Sequence, residues 1–437
     1  MRHRTLIRGA RLLDPASGLD APGGLLIEDG RIADLGRGLF EDGVPGDAEV
    51  IEAEGACLAP GLVDLRVQLG EPGAEHKETF ASGTRAAAAG GVTSLACLPT
   101  TAPPIDDPAM VEFVARRARQ QRRAKVYPYG ALTRACAGRE LAELGLLKEA
   151  GAVGFTDGHH AVVNSLVMRR ALAYARSIDA RIFQHPEDPA LAGGGVMNEG
   201  EIATRLGLAG IPAVAEVILI ERDLRLVELT GGACHFANLS TAAGVDAVRR
   251  AKARGLPVTA DTAPHYLALN ELEVEGYRTF AKVAPPLRSE DDRQAVALGL
   301  IDGTIDALAS DHCPQDQDSK RLPFAQAEYG VVGLETLLPV ALQLVHEERI
   351  GLLDLLARLT VRPAALLGIE AGRLARGAPA DLVLFDPEAP WQVREDGLSS
   401  LAKNTAFEGR LVQGRVVRTV VDGRTIFEAG PAHGTVA

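Results

Sequence analysis

The chain has 437 residues, enough for one large barrel with a smaller second domain, or for two or three ordinary domains. Its 46% hydrophobic and 24% charged residues are typical of globular proteins, and its net charge of −12 offers no basic footprint for nucleic acid. No apolar run approaches the length that crosses a bilayer, and no signal-peptide pattern opens the chain, so we expect a cytoplasmic protein.

Both ends of the chain show strand patterns. Near the N-terminus, residues 25–27 and 31–35 flank Asp29-Gly30, a dipeptide typical of hairpin turns. Near the C-terminus, Ala380–Phe385 is a strand-like run, and Asp422-Gly423 separates two further β-rich segments at 417–421 and 425–427. Two strand-rich ends around a long middle predict one composite β-domain built from both termini.

The middle of the chain alternates short apolar strands with helical segments, and the Ala-rich stretch Ala81–Ala89 closes at Gly90-Gly91 as a helix would. Strand–helix alternation over some 300 residues favours a (β/α)8 barrel, whose functional groups sit at the C-terminal strand ends. A doubly wound sheet is the alternative, but no Gly-rich dinucleotide fingerprint follows a strand. We predict strands at 61–69, 92–98, 181–185, 232–238, 257–260 and 307–311, and domain limits of 1–54, 55–365 and 366–437.

Five cysteines are present, and they are odd in number, widely separated and without a CxxC pair. This pattern predicts buried free thiols in a reducing compartment rather than disulfides. The cysteines are Cys57, Cys97, Cys136, Cys234 and Cys313.

Several ionisable side chains follow the predicted strands. Asp311-His312 closes one strand, and such a pair could hold a metal or act as a base, or could be structural. Single histidines near other strand ends are more often hydrogen-bonded structural residues than ligands. No HxH or HExxH motif exists to gather several ligands around one ion. The further candidates are Asp157, His159, His160, His185, His235 and His265.

The order of segments resembles the dihydroorotase family of the amidohydrolase superfamily, in its long bacterial type. The matching blocks run over nearly the whole chain and include APGLVDLRVQLGEPG, GAVGFTDG, CHFANLST, KVAPPLR and DGTIDALASDHCPQ. The resemblance implies an amidohydrolase barrel. In active relatives it also implies zinc, which makes hydroxide available near neutral pH to attack a cyclic amide.

The resemblance breaks where the family's metal ligands should stand. Arg66 and Gln68 occupy the positions of a His-x-His pair, and an arginine stays protonated and cannot ligate zinc. Gly158 and Asn238 replace two further ligands, and Gln68 is a poor donor for this metal. The remaining family positions are His185, Asp311 and Asp157. We therefore expect no bound metal or other cofactor.

The family's substrate contacts are also replaced. Gly70 stands in place of an arginine that would clamp the substrate carboxylate, and Thr100 and Ala284 stand in place of asparagines. Gln315 replaces a histidine. Scaffold features such as Asp-Gly turns and helix ends are nevertheless intact, which indicates that something other than hydrolysis requires the barrel.

Three hypotheses follow. The resemblance favours a catalytically inactive dihydroorotase-like subunit that forms an oligomeric complex with aspartate transcarbamoylase. The first alternative is an active zinc-dependent dihydroorotase with an altered site, for example a cluster of Asp157, His159, His160 and His185. The second alternative is a ligand-binding sensor that uses the changed pocket. In a centre without metal, a buried carboxylate requires another cation, so we predict that Arg66 pairs with Asp311 or Asp157.

Overall fold

The computed structural model describes residues 4–39 and 48–430. The strands are β1 (Arg4–Asp14), β2 (Leu19–Glu28), β3 (Arg31–Gly36), β4 (Ala48–Glu52), β5 (Cys57–Pro60), β6 (Leu62–Val67), β7 (Val92–Cys97), β8 (Lys125–Pro128), β9 (Gly130–Ala131), β10 (Phe155–Thr156), β11 (Arg181–Gln184), β12 (Met197–Asn198), β13 (Gly210–Ile211), β14 (Ala233–Phe236), β15 (Val258–Thr262), β16 (Ala307–Leu308), β17 (Leu382–Gln392), β18 (Leu411–Val421) and β19 (Arg424–Glu428).

The α-helices are α1 (Phe80–Ala89), α2 (Pro108–Gln121), α3 (Leu144–Glu149), α4 (Ser165–Ser177), α5 (Pro189–Ala192), α6 (Glu201–Leu206), α7 (Val214–Thr230), α8 (Ala242–Ala253), α9 (Pro264–Ala268), α10 (Glu290–Ile301), α11 (Gln317–Arg321), α12 (Leu337–His346), α13 (Leu352–Leu359) and α14 (Val361–Leu367). Within the described ranges, no helix is both long and apolar enough to cross a membrane.

The two chain ends form one sheet, as predicted. Its order is β19-β18-β17-β5-β1-β2-β3, with β4 added in parallel to β1. Both Asp-Gly turns join antiparallel hairpins, β2–β3 and β18–β19. The sheet continues through β5, which lies between β17 and β1, so it extends six residues beyond the predicted limit at residue 54. Pairing with the C-terminal β17 places this segment, which the predicted limits put in the barrel, in the sheet of the β-domain.

The middle of the chain forms the predicted barrel of parallel strands. β6, β7 and β8 pair in sequence, and β9, β10, β11, β14, β15 and β16 continue the circuit, with β8 and β9 forming one interrupted strand around Tyr129. A parallel bridge between Val67 and His312 closes it. Because the strands are parallel, their C-terminal ends meet on one face, where the side chains that follow them converge.

The helices pack outside the barrel through apolar faces. Thr79 caps the start of helix α1, where its side chain accepts a hydrogen bond from the Ser82 amide in a capping box, and Gly90 caps its end, as the sequence predicts. One continuous core joins the barrel to the β-domain, since Phe385 of β17 and Val416 of β18 belong to the same cluster as barrel residues. All five cysteines are buried and free, also as predicted.

Several barrel strands are shorter than predicted. The predicted strand 307–311 pairs only at Ala307–Leu308, and the predicted strand 61–69 is β6, Leu62–Val67. Asp311 therefore lies beyond its strand in the left-handed region, with φ of 49°. The side chain of Asp311 is hydrogen-bonded to Arg66 across the barrel mouth rather than placed within a paired strand. A pattern along the sequence does not show such a contact.

Candidate functional site

An ion pair lies at the centre of the barrel mouth. Arg66, near the end of β6, donates a hydrogen bond from Nε to Oδ1 of Asp311 over 2.9 Å. Both side chains are almost fully buried, with 3% and 5% of their surfaces exposed. Of the two partners predicted for Arg66, the structure selects Asp311. Burial raises the pKa of Asp311, while the charge of Arg66 opposes that shift.

The other edge of the guanidinium contacts the loop after β10. Arg66 Nη2 donates to the Gly158 carbonyl over 3.3 Å and lies 3.0 Å from Nδ1 of His159. Because the guanidinium can only donate, His159 Nδ1 accepts, and the neutral ring carries its proton on Nε2. Burial and the Arg66 charge hold the pKa of His159 well below its usual range. The contact between Arg66 and His159 was not foreseen, and no sequence signal distinguished His159 from its exposed neighbour His160.

His185 and His265 border the same centre. Burial, and for His185 also the charge of Arg66, holds the pKa of His185 well below its usual range and lowers that of His265 to about 3. Among the described residues, Nδ1 of His185 and Nε2 of His265 are buried without a hydrogen-bond partner, as are both polar atoms of the Asn238 side chain. The centre therefore contains neutral rings and one internally neutralised ion pair.

Asp157 is committed elsewhere. Its carboxylate accepts hydrogen bonds from the backbone amide and the hydroxyl of Thr133, and it forms neither a hydrogen bond nor an ion pair with Arg66. His160 is exposed, while His159 is held by Arg66. The hypothesis of a replacement metal cluster from Asp157, His159, His160 and His185 thus has no support in the geometry.

Gly158 could not carry a metal-binding side chain in this conformation. Its φ is +69°, and a Cβ atom built on it would lie 2.6 Å from Cγ2 of Thr100. The two replacements at 158 and 100 are therefore coupled by packing. Gly70 is similar: its φ is +66°, and an added Cβ would meet the backbone oxygens of Glu78 and Ala74 at 2.6 and 2.7 Å.

The remaining predicted positions line a cavity of about 1110 Å³ at this face. Gln315 accepts from Lys77 Nζ over 2.7 Å and donates to the Tyr329 carbonyl, so it joins two walls. Gln68 accepts from the Cys313 thiol over 3.5 Å. Ala284 also lines the cavity, although it offers no polar side-chain atom. The cavity is open, and the side chains of Gln68 and Gln315 are hydrogen-bonded to other residues of its wall.

His312 does not share the site with its neighbour Asp311. Its Nδ1 accepts from the Gly333 amide over 3.2 Å, and its Nε2 lies 3.4 Å from the buried Glu78 carboxylate. His235 likewise bonds internally, to Thr259 and Asp261. The Asp-His pair seen in the sequence therefore separates into one pocket residue and one structural residue.

The donor set does not fit zinc. Zinc sites gather imidazole, thiolate and carboxylate ligands around one ion. Across residues 4–39 and 48–430, no group of three or more His, Cys, Asp or Glu side chains is arranged to hold a metal. The carboxylate of Asp311 faces a guanidinium, and Arg66 brings a permanent positive charge to the place where a cation would have to sit.

Comparison with known proteins identifies the fold first. L-hydantoinase (dihydropyrimidinase) from Arthrobacter aurescens superposes with a TM-score of 0.87 and 26% identity, covering 99% of this chain and 98% of that one. Dihydropyrimidinase from Brevibacillus agri NCHU1002 superposes with a TM-score of 0.83 at 23% identity, covering 97% and 95% of the two chains. The barrel with its two-ended β-domain is thus an amidohydrolase fold.

The sequence comparisons identify a particular family within the proteins of this fold. A dihydro-orotase-like family profile matches residues 55–243. A dihydroorotase from Pelobacter propionicus is 47% identical over 422 residues, covering 97% of this chain and 99% of the relative. One from Syntrophotalea carbinolica is 48% identical over 424 residues, with the same coverage. The chain belongs to the dihydroorotase family.

Proposed function

We propose that this chain is a non-catalytic member of the dihydroorotase family that serves pyrimidine biosynthesis as a structural partner of aspartate transcarbamoylase. The observation that carries the first half is the buried ion pair between Arg66 and Asp311. A zinc ion bound by Asp311 would have to displace a guanidinium that has three partners: Asp311, Gly158 and His159. Displacing it would bury an unpaired cation, which is strongly unfavourable.

The substrate side supports the same proposal. A ring that bears a carboxylate is bound best by a side chain that makes two hydrogen bonds to it, and the family resemblance implies an arginine for this purpose at position 70. Gly70 lies in a left-handed turn closed around its Cα, so it supplies no such group. The missing amide groups at Thr100 and Ala284 remove further hydrogen bonds to a ligand. Loss of both the metal site and the clamp argues against hydrolysis by a modified route.

The intact scaffold features of the chain support a structural role. The chain keeps a capped α1, both hairpins of the β-domain and a core shared between the domains. Agreement between turns, caps and packing indicates a sequence held to one fold. Interfaces depend on a few buried anchors rather than on catalytic groups, so an inactive barrel can still bind a partner. Aspartate transcarbamoylase is proposed as the partner because the chain resembles the inactive dihydroorotase-like subunits that form a complex with that enzyme.

The first test addresses metal and activity. The purified chain is expected to hold less than stoichiometric zinc by elemental analysis. It should show no hydrolysis of dihydroorotate and no cyclisation of carbamoyl aspartate with added zinc. One tightly bound zinc that is lost in Asp311→Ala would refute the non-catalytic proposal. So would a rate above background that Asp311→Asn abolishes.

The second test addresses the partner. Aspartate transcarbamoylase from the same organism is expressed with and without this chain, and both preparations are analysed by size-exclusion chromatography and transcarbamoylase assay. We expect a larger complex and a more stable transcarbamoylase when both chains are present. The double variant Arg66→Met/Asp311→Asn is the matched control, and it should assemble equally well because the pocket is not the interface. An unchanged elution volume and equal stability of the transcarbamoylase alone would overturn the partner proposal.

A further inference from the structure

A second cavity lies away from the Arg66 centre, where the barrel meets the β-domain. It has a volume of about 620 Å³, and its walls come from the end of α2, the start of β8 and the β18–β19 hairpin. Strand β8 begins here, so the cavity is at the N-terminal face of the barrel, opposite the mouth that holds Asp311. Its size falls in the usual range for small-molecule sites.

This cavity is strongly basic in a chain whose net charge is −12. Four arginines line it: Arg119, Arg122 and Arg123 from the barrel, and Arg424 from the β-domain. Lys125 also lines it, but its ammonium is taken by two carboxylates, Asp381 at 2.8 Å and Asp422 at 2.7 Å. The single ammonium offsets one of these two carboxylates, and the four guanidinium charges outweigh the other, so the cavity keeps a net positive charge.

Three of these guanidinium groups are available to a ligand. Within the described part of the chain, the side chains of Arg122, Arg123 and Arg424 make no hydrogen bond or ion pair, whereas Arg119 donates to the Ala115 carbonyl. A favourable interaction with the helix dipole explains cations at the end of α2. It does not explain Arg424, which comes from the other domain.

The backbone at Arg122 also points to a role for its side chain. Arg122 is the residue that ends α2 and has φ of +52° and ψ of +36°, the left-handed conformation that helices usually give to glycine. Glycine adopts it without steric cost, and a side chain with a Cβ does not. Arginine therefore occupies this position at a steric cost that glycine would avoid, and its side chain lines the cavity.

The chemistry of the walls defines the ligand class. Guanidinium groups bind phosphate oxygens through paired hydrogen bonds, and several together suit more than one phosphate. The rest of the wall is apolar or aromatic, with Val126, Val421 and the half-buried ring of Tyr127. Such a surface can pack against a flat ring.

We propose that this cavity binds an organic polyphosphate, a ligand with two or more phosphates and a ring system, as in a nucleoside triphosphate. Arg122, Arg123 and Arg424 contact the phosphates, and Tyr127 with the neighbouring apolar side chains contacts the ring. Because Arg424 belongs to the β-domain and the others to the barrel, the ligand joins the two domains.

Isothermal titration calorimetry on the full chain, with inorganic pyrophosphate, ATP and adenosine at one ionic strength, tests this site. Pyrophosphate and ATP are expected to bind, ATP at least as tightly, and adenosine is not. Arg424→Gln and Arg122→Gly should each weaken ATP binding by roughly tenfold, the loss of one charge-assisted hydrogen bond. Arg122→Gly should not lower the Tm, because glycine suits that backbone, so its effect on binding is not an effect on folding.

Arg169→Gln is the matched control, since Arg169 is exposed on α4, unpaired within the described residues, and outside the cavity. It should leave binding unchanged. An equal loss in this control would mean attraction to overall charge, and unchanged binding in both cavity variants would place the ligand elsewhere; either result overturns the proposal. It also fails if the wild-type chain binds neither pyrophosphate nor ATP.

Discussion

Replacing Arg66 by methionine tests most directly how much the buried ion pair between Arg66 and Asp311 contributes to the free energy of unfolding. Methionine keeps much of the volume but removes the donor 2.9 Å from Asp311 and the donors to Gly158 and His159. The carboxylate is then a buried charge without a partner. Breaking a buried pair in this way costs about 3–5 kcal/mol, so the urea-unfolding midpoint should fall clearly at pH 7.

The penalty should depend on pH with a definite sign. Burial already raises the pKa of Asp311, and removing Arg66 removes the main influence that opposes the shift. In the variant, the folded carboxyl keeps its proton at pH values where the unfolded chain has released it. The unfolding free energy therefore falls as pH rises between the unfolded and the folded pKa. The defect of Arg66→Met should be smaller near pH 5 than at pH 7.

A double-mutant cycle separates the pair from packing. Asp311→Asn combined with Arg66→Met removes both charges, and we expect an interaction energy of roughly 2–3 kcal/mol between the two sites. Arg250→Met, which breaks exposed pairs with Asp246 and Glu221, is the matched control and should change stability little. A stabilising role for the Arg66–Asp311 pair is refuted if Arg66→Met is no more destabilising than the control, or if its effect is independent of pH.

Three further predictions follow. Arg66→His with Gln68→His should not restore dihydroorotate hydrolysis in the presence of zinc, because the other ligands and the substrate clamp are still absent; a measurable rate would contradict this. Gly158→Asp should lower the unfolding free energy by about 1–3 kcal/mol through overpacking, and Thr100→Ala should recover part of it in urea titrations. Burial lowers the pKa of Lys320 to about 7 from 10.5, so the unfolded chain binds more protons between these values and stability should rise with pH there. Lys320→Met should abolish that slope, and an unchanged slope would show that another group causes it.

The sequence determined much of the fold because the signals are local. Asp-Gly turns between β-formers specify hairpins by their own backbone preferences, and both hairpins are present. The Ala-rich stretch that closes at Gly90 specifies α1, and the strand–helix alternation leaves few topologies besides a parallel barrel. The replacement of possible metal ligands at Arg66 and Gln68 is equally visible in one dimension.

Only the tertiary structure decided how these residues are paired. The sequence left Arg66 two carboxylates, and the strand geometry selected Asp311 while Thr133 took Asp157. The sequence also gave no reason to expect Arg424 beside the end of α2, some 300 residues earlier, where both line one cavity. Hydrogen bonds and ion pairs depend on distances of about 3 Å between atoms remote in the chain. Those distances arise only when the barrel closes and the two chain ends meet in one sheet.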